Sequence, residues 1–274
     1  MNSSTVGENN IQSALAKKQE KPSTPAQIMQ SLLSHEGTKK ILENALHENA
    51  GAFSASVIDL YNSDKTLQAC DPRQVFGECL KAVSLKLPIN KQLGFAYVIP
   101  YKDSKTGTQV PQFQMGYKGF IQLCMRSGIY KYINAGVVYE GELQTVDKLT
   151  GAVDLNGNKV SDEVVGYFAY METINGFSKA YFWTKDATIK HAAKYSKSYR
   201  SGSSIWRDNL DEMCVKTVLR NMLSKWGAMT VDMERALTSD TDDYADKTQD
   251  PLPTSIAAEA VDGNVQVEDV ANGK

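Results

Sequence analysis

The sequence predicts an α+β fold: a small antiparallel β-meander and an exposed β-hairpin, packed with several helices, one of them long and C-terminal. Three observations carry that prediction. Residues 206–226, WRDNLDEMCVKTVLRNMLSKW, read as one amphipathic helix, because Leu210, Cys214, Val218, Met222 and Trp226 recur near the helical period. YINAGVVYEGE, VVGYFAYMET and KAYFWT are strand-like runs, separated by loops that carry Asn156-Gly157 and Asn175-Gly176. Asn-Gly between such runs is a strong hairpin signal, so the three form a meander. FAYVIPY and TQVPQFQMGY flank KDSKTG as two extended segments, and Pro100 and Pro111 place that hairpin at an exposed edge.

Taken in order, residues 1–24 are polar and lack a sustained apolar pattern, so they are expected to be a disordered arm. The core domain is expected over 25–238. Its first helix starts at Thr24 with Pro25 in the first turn and carries Ile28, Leu32 and Leu33. Gly37 interrupts it, and Ile41, Leu42, Ala45 and Leu46 continue a second segment. Val57, Ile58, Leu60 and Tyr61 mark a short third helix. Asp71-Pro72 combines an N-cap with a first-turn proline ahead of Val75, Cys79, Leu80 and Val83. After the hairpin, GYKGFIQLCMRSG predicts a short helix closed by Gly128. Thr184 can cap KDATIKHAAKY, on which Lys190, Lys194 and Lys197 form one basic edge. The apolar pattern stops beyond Met233, and residues 239–274 are expected to be an acidic disordered tail.

Charge is unevenly distributed. From Asp240 onward nine acidic residues face only Lys247 and Lys274, which leaves the preceding chain net positive. Residues 81–132 hold eight Lys or Arg against one acid, Asp103. A basic body with an acidic tail points to a polyanionic ligand. On one reading the tail competes for the basic groove, so its removal after Thr238 should leave activity intact and tighten polyanion binding; on the other the tail is inert or docks a partner. No apolar run reaches the length of a membrane span, and MNSSTVGENN has no signal-peptide pattern. The four cysteines lack CxxC spacing and are expected to be buried, reduced thiols of an intracellular chain.

Catalytic motifs are sparse. The three histidines stand in no metal-ligand spacing, and His191 beside lysines reads as a packing residue. No Walker-type or dinucleotide glycine loop follows a strand; Gly116 and Gly119 in MGYKGF do not form a known phosphate cradle. Asp147, Asp154, Asp162 and Glu163 surround the Asn156-Gly157 loop, which keeps open a Mg²⁺-dependent DNA-processing nuclease. A non-enzymatic scaffold for a basic protein partner is a further alternative. The positive signal is cations interleaved with rings: Tyr117-Lys118, Arg126, Tyr130-Lys131-Tyr132, Lys194-Tyr195, Tyr199-Arg200 and Trp206-Arg207. Such pairs suit phosphates and stacked bases. On the long helix Lys216 and Arg220 share a face, and Arg220 has no acid within one turn. That pair reads either as an open anion-binding surface or, for Arg220, as a buried clamp on Glu140 or Glu142.

AYVIPY, GYKGFIQLCMRSG, IYKYINAGVVYEGE and MCVKTVLRNMLSKW, in this order and spacing over about residues 70–230, resemble the RecT family of phage single-strand DNA annealing proteins. The resemblance implies a non-enzymatic protein that anneals complementary strands without ATP and without base preference. It implies no required cofactor, with Mg²⁺ at most assisting. It also implies a homo-oligomer or filament on single-stranded DNA and the annealed duplex intermediate, in the cytoplasm of a bacterial host. A phage 5′→3′ exonuclease and a host single-strand binding protein are the implied partners, and no membrane is involved. Joined to the cation pattern, it makes Tyr117, Lys118, Arg126, Lys190, Lys194, Arg200, Arg207, Lys216 and Arg220 the candidate DNA-binding residues.

Overall fold

The structure, a computed structural model, describes residues 24–103, 106–200 and 204–240. The expected arm over 1–23, the tail from 241, Lys105 in the hairpin loop and residues 201–203 of the basic loop lie outside the described residues. The expected 25–238 core is divided into two compact units. One comprises Met1–Asn90 with Val98–Gln112; the other comprises Lys91–Tyr97 with Phe113–Lys274.

The first unit is helical. Helix α1 (Pro25–Ser34) opens with a capping box, in which the Thr24 hydroxyl accepts from the Gln27 amide and the Gln27 side chain accepts from the Thr24 amide. Helices α2 (Glu36–Leu46), α3 (Ala50–Ser63) and α4 (Pro72–Ser84) follow. The α1–α2 break falls at His35, two residues before Gly37, which lies inside α2, and the His35 ring caps α2 by accepting from the Gly37 amide. Asp71 caps α4 as its Asp-Pro step predicts. Helix α1 packs on α2, α3 and α4 around Met29, Leu33, Val57, Val75 and Cys79.

Strands β1 (Ala96–Lys102) and β2 (Gln109–Met115) form the expected hairpin. It is less exposed than Pro100 and Pro111 suggest, because Ala96, Val98, Pro111, Phe113 and Met115 are buried. Burial alternates only in part: Ala96 and Val98 flank a partly exposed Tyr97, whereas Phe113, Gln114 and Met115 are buried in succession.

In the second unit β3 (Tyr130–Tyr139), β6 (Val164–Thr173) and β7 (Ser178–Thr184) make the meander, all antiparallel with β6 central. Within the long β3–β6 connection a two-stranded ribbon, β4 (Thr145–Val146) with β5 (Val153–Asp154), was not foreseen, since two-residue strands leave no periodic signal. Along β6 Tyr167, Ala169 and Met171 are buried, while Phe168, Tyr170 and Glu172 between them are partly exposed. The dry face receives α9 (Leu210–Trp226), which also packs against α5 (Tyr117–Ser127) and α6 (Lys185–Tyr195). Gly128 ends α5 in the left-handed conformation, and the Thr184 hydroxyl caps α6, both as the sequence indicates. Between α6 and α9 lie the short helices α7 (Lys197–Arg200) and α8 (Ser204–Asp208).

Two expectations about the long helix fail. The chain breaks at Asn209, whose non-helical dihedrals (φ −136°, ψ 48°) separate α8 from α9, so 206–226 is not one helix. Its buried surface is also wider than a stripe: every residue from Met213 to Leu219 is buried, Lys216 included, while Trp226 is 47% exposed. A helix covered by a sheet on one side and helices on the others has little solvated face left. Past Met233 the pattern does not stop, and α10 (Val231–Ser239) continues with Met233 and Ala236 buried.

All four cysteines are free and buried. Burial pushes the thiols of Cys79 and Cys124 up to about 12 and those of Cys70 and Cys214 up to about 11. The native chain at pH 8 should therefore react very slowly with a disulfide thiol probe and titrate fully only in denaturant. Rapid native labelling of any thiol would contradict this core.

Candidate nucleic-acid interface

The helix pair read as an open cationic face is instead an internal ion cluster. Asp240, the residue that ends α10, has a fully buried side chain. Its Oδ1 accepts from Lys216 Nζ at 3.0 Å and from the Met115 backbone N–H at 3.0 Å. Arg220 Nε stands 3.4 Å from Asp240 Oδ2, and Arg220 Nη2 donates to the Leu237 carbonyl at 3.2 Å. Lys216 is only 4% exposed. The partner of Arg220 is therefore neither Glu140 nor Glu142, and the pair does not face solvent. Asp240 also does not belong to an acidic tail: it is the buried counter-ion of α9. One signal was available, because Met233, Ala236 and Asp240 share one helical face, which puts a carboxylate on an apolar stripe.

The remaining candidates are exposed or partly so. On α6 Lys190 pairs with Asp186 at 2.6 Å, and Lys194 lies over the Tyr195 ring at 4.9 Å. The Arg200 guanidinium donates to the Lys194 carbonyl, which folds α7 back beside the end of α6. Trp206 Nε1 donates to Ser198 Oγ at 3.0 Å and its ring meets Tyr199 edge-on at 5.2 Å, fixing α8 against α7. Arg207 then projects from α8, exposed, with Asp208 beside it at 3.1 Å. Lys190, Lys194, Arg200 and Arg207 thus lie along consecutive, mutually bonded elements. Exposed ion pairs of this kind hold their partners weakly and exchange readily for phosphate. His191, between Trp183 and Tyr195, packs as expected.

Tyr117 and Lys118 open α5. The Tyr97 phenol is pushed up chiefly by burial, with Glu212 and Tyr117 adding to it. The start of α5 therefore sits near the first turn of α9, which follows Arg207. Arg126 is not part of this group. It lies at the far end of α5 and stands 3.8 Å from Asp232 on α10. Gly116 and Gly119 have a structural task. A Cβ on Gly116 would fall 2.0 Å from the Gly94 carbonyl oxygen, and one on Gly119 2.2 Å from that of Phe95.

The loop acids considered for Mg²⁺ serve their own turns. Asp147 accepts from the amides of Leu149 and Thr150, which lowers its pKa, and Asp162 is lowered by Lys159 at 2.6 Å. Asp154 accepts from the Asn156 amide. Among the described residues no group of three or more His, Cys, Asp or Glu is placed to hold a metal ion. Also among the described residues, no helix is long and apolar enough to cross a membrane.

The RecT family model matches residues 51–253, most of the chain. The chain belongs to the RecT family. YqaK of Bacillus subtilis strain 168, an uncharacterised protein, is 43% identical over 232 residues, covering 84% of this chain and 77% of YqaK. RecT of Escherichia coli K12 is 27% identical over 194 residues, 68% of this chain and 69% of that protein. As a RecT-family member the chain has a DNA-binding role in single-strand annealing and recombination. The family's matched span includes α9, α10 and Asp240, so the ion cluster lies inside the family domain.

Proposed function

We propose that this RecT-family chain binds single-stranded DNA through its phosphates, without base preference, and anneals complementary strands without ATP. It does so as an oligomer on the DNA, in a bacterial cytoplasm, beside a 5′→3′ exonuclease and with host single-strand binding protein as a further partner. The supporting observation is the line of exposed cations Lys190, Lys194, Arg200 and Arg207 with rings beside it, continued by Lys118. Cations on bonded elements hold a backbone in register while leaving base edges free to pair. Lys216 and Arg220 act from behind, by seating α9 and α10.

The test is annealing of two labelled complementary oligonucleotides without ATP, with and without Mg²⁺. Annealed product of full length is expected in both; fragments appearing with Mg²⁺ would favour a nuclease instead. The combined substitutions Lys190→Ala, Lys194→Ala, Arg200→Ala and Arg207→Ala should flatten the dependence of log K on log salt by about 0.7 for each phosphate no longer held, roughly 3 in all. The melting midpoint should hardly move on loss of the exposed Lys190, Lys194 and Arg207 side chains, and Arg200→Ala alone checks what its bond to the Lys194 carbonyl adds. An unchanged salt slope would place the DNA elsewhere on the molecule.

A further inference from the structure

At one end of the second unit large apolar side chains stand in solvent. Leu149 is 95% exposed, Ile174 72%, Phe177 42%, Trp226 47%, Met229 54% and Val231 62%. They come from three separate places, the β4–β5 turn, the β6–β7 turn and the end of α9, and Lys179 ties these together. Its Nζ donates to the Thr150 carbonyl at 3.4 Å and lies 5.0 Å from the centre of the Trp226 ring. Phe177 stacks on the same indole with centroids 6.3 Å apart, and Trp226 Nε1 donates to the Tyr181 hydroxyl at 2.9 Å. The surface is built rather than frayed. Leu149 rides on a turn in which Asp147 accepts from two amides, and Tyr130 receives the Ala228 N–H at 2.7 Å behind Met229. Large apolar side chains exposed on elements tied together in this way mark an interaction site.

Its chemistry selects the occupant. Leu149, Ile174, Met229 and Val231 offer aliphatic groups and no ring face for a nucleobase, and Trp226 is still 47% exposed, so the surface favours a polypeptide. Lys179 lies against the indole, and Lys148 and Lys225 are the chain neighbours of Leu149 and Trp226, while the Asp147 carboxylate is turned onto its own turn amides. A segment that is both aliphatic and acidic complements that surface. The chain itself carries one: residues 241–274 hold eight acids against Lys247 and Lys274, with Leu252, Ile256, Val261, Val265, Val267 and Val270 among them.

We infer that residues 252–270 of the same chain dock on the Leu149–Phe177–Trp226 surface, apolar side chains on the rings and acids against Lys148, Lys179 and Lys225. The reach is sufficient. Five residues lead from Trp226 to Val231, where the nine-residue α10 begins, so Asp240 lies within roughly 30 Å of Trp226. The twelve residues from Asp240 to Leu252 span up to roughly 40 Å when extended. Attachment makes the encounter intramolecular, so modest attraction suffices. Docking of this kind is independent of how the chain holds DNA.

Trp226 supplies the readout, since Trp183 and Trp206 are buried. The experiment is acrylamide quenching of the full-length protein, without DNA, against a full-length variant carrying Val261→Ser, Val265→Ser, Val267→Ser and Val270→Ser. An unchanged melting midpoint of the variant checks that its fold is kept. Quenching by the exposed component should rise about twofold or more in the variant, the change from a mostly covered to an open indole. The same rise should follow in the unaltered chain at high salt, where the lysine–acid attraction is screened. The unaltered chain should quench equally at all protein concentrations. No difference between variant and unaltered chain would overturn the inference. Quenching of the unaltered chain that increases on dilution would also overturn it, because a second copy would then be the cover.

Discussion

A chain that ends after Thr238 should melt roughly 10 °C below one that ends after Tyr244, although both lack most of the acidic C-terminal stretch. The shorter chain loses Asp240, and with it the carboxylate that Lys216 Nζ, Arg220 Nε and the Met115 N–H all approach. Removing one partner from a buried ion pair leaves uncompensated charge, at a cost of about 3–5 kcal/mol. For a domain of this size each kcal/mol lowers the midpoint by about 2–4 °C. In the full-length chain Asp240→Ala should fall by a similar amount. Asp240→Asn should fall less, since one oxygen still accepts from Met115. Midpoints by circular dichroism decide the matter, and equal midpoints for the two truncations would show that the cluster is dispensable. DNA affinity at low temperature separates the roles further: if Lys216 and Arg220 act by seating α9 and α10, low-temperature binding survives Asp240→Asn better than thermal stability does.

Gly119→Ala should also destabilise the protein, by about 1–3 kcal/mol, despite replacing a helical glycine with the best helix former. Propensity alone predicts a gain of about 1 kcal/mol. The clash reverses the sign, because the new Cβ would sit 2.2 Å from the Phe95 carbonyl oxygen and 2.9 Å from Met115 Cε. Backbone cannot yield as a flexible side chain can. Gly77→Ala in α4 is the control: nothing lies within 4 Å of its Cβ position, so the propensity gain should appear undiminished. Opposite signs for the two substitutions in thermal unfolding are the expected result. If both stabilise, the start of α5 is not seated against residues 94–95. Lys118 stands between the two tight glycines, so Gly119→Ala should weaken DNA binding as well.

The same glycines show where reading residues in order reaches its limit. GYKGF is conspicuous in the sequence, although its glycines match no known phosphate cradle. The spacing reflects instead how closely the α5 backbone lies on Gly94 and Phe95, which no local pattern encodes. Trp226 is similar. Its helical spacing from Met222 assigns it to the core, yet at the end of α9 it meets Phe177, Lys179 and Tyr181 and stays 47% exposed.

What the sequence determined by itself is whatever depends on residues within a turn of one another. The Thr24 box, the Asp71-Pro72 start, the Thr184 cap, the Gly128 stop and the strand alternation were all legible there, because their hydrogen bonds and periodicities close locally. The ordered blocks from AYVIPY to MCVKTVLRNMLSKW were legible too, and they carried the family. Only the tertiary structure decided which cations face water. Lys216 and Lys194 are both lysines on helices, and their sequence neighbourhoods do not distinguish them. Lys216 is buried because α9 is covered by sheet and helix together, and because Asp240, 24 residues on, meets it there. The Met115 amide that shares Asp240 is 125 residues away. Charge burial is a property of what packs around a group, and that is settled by elements distant in the chain rather than by the residues beside it.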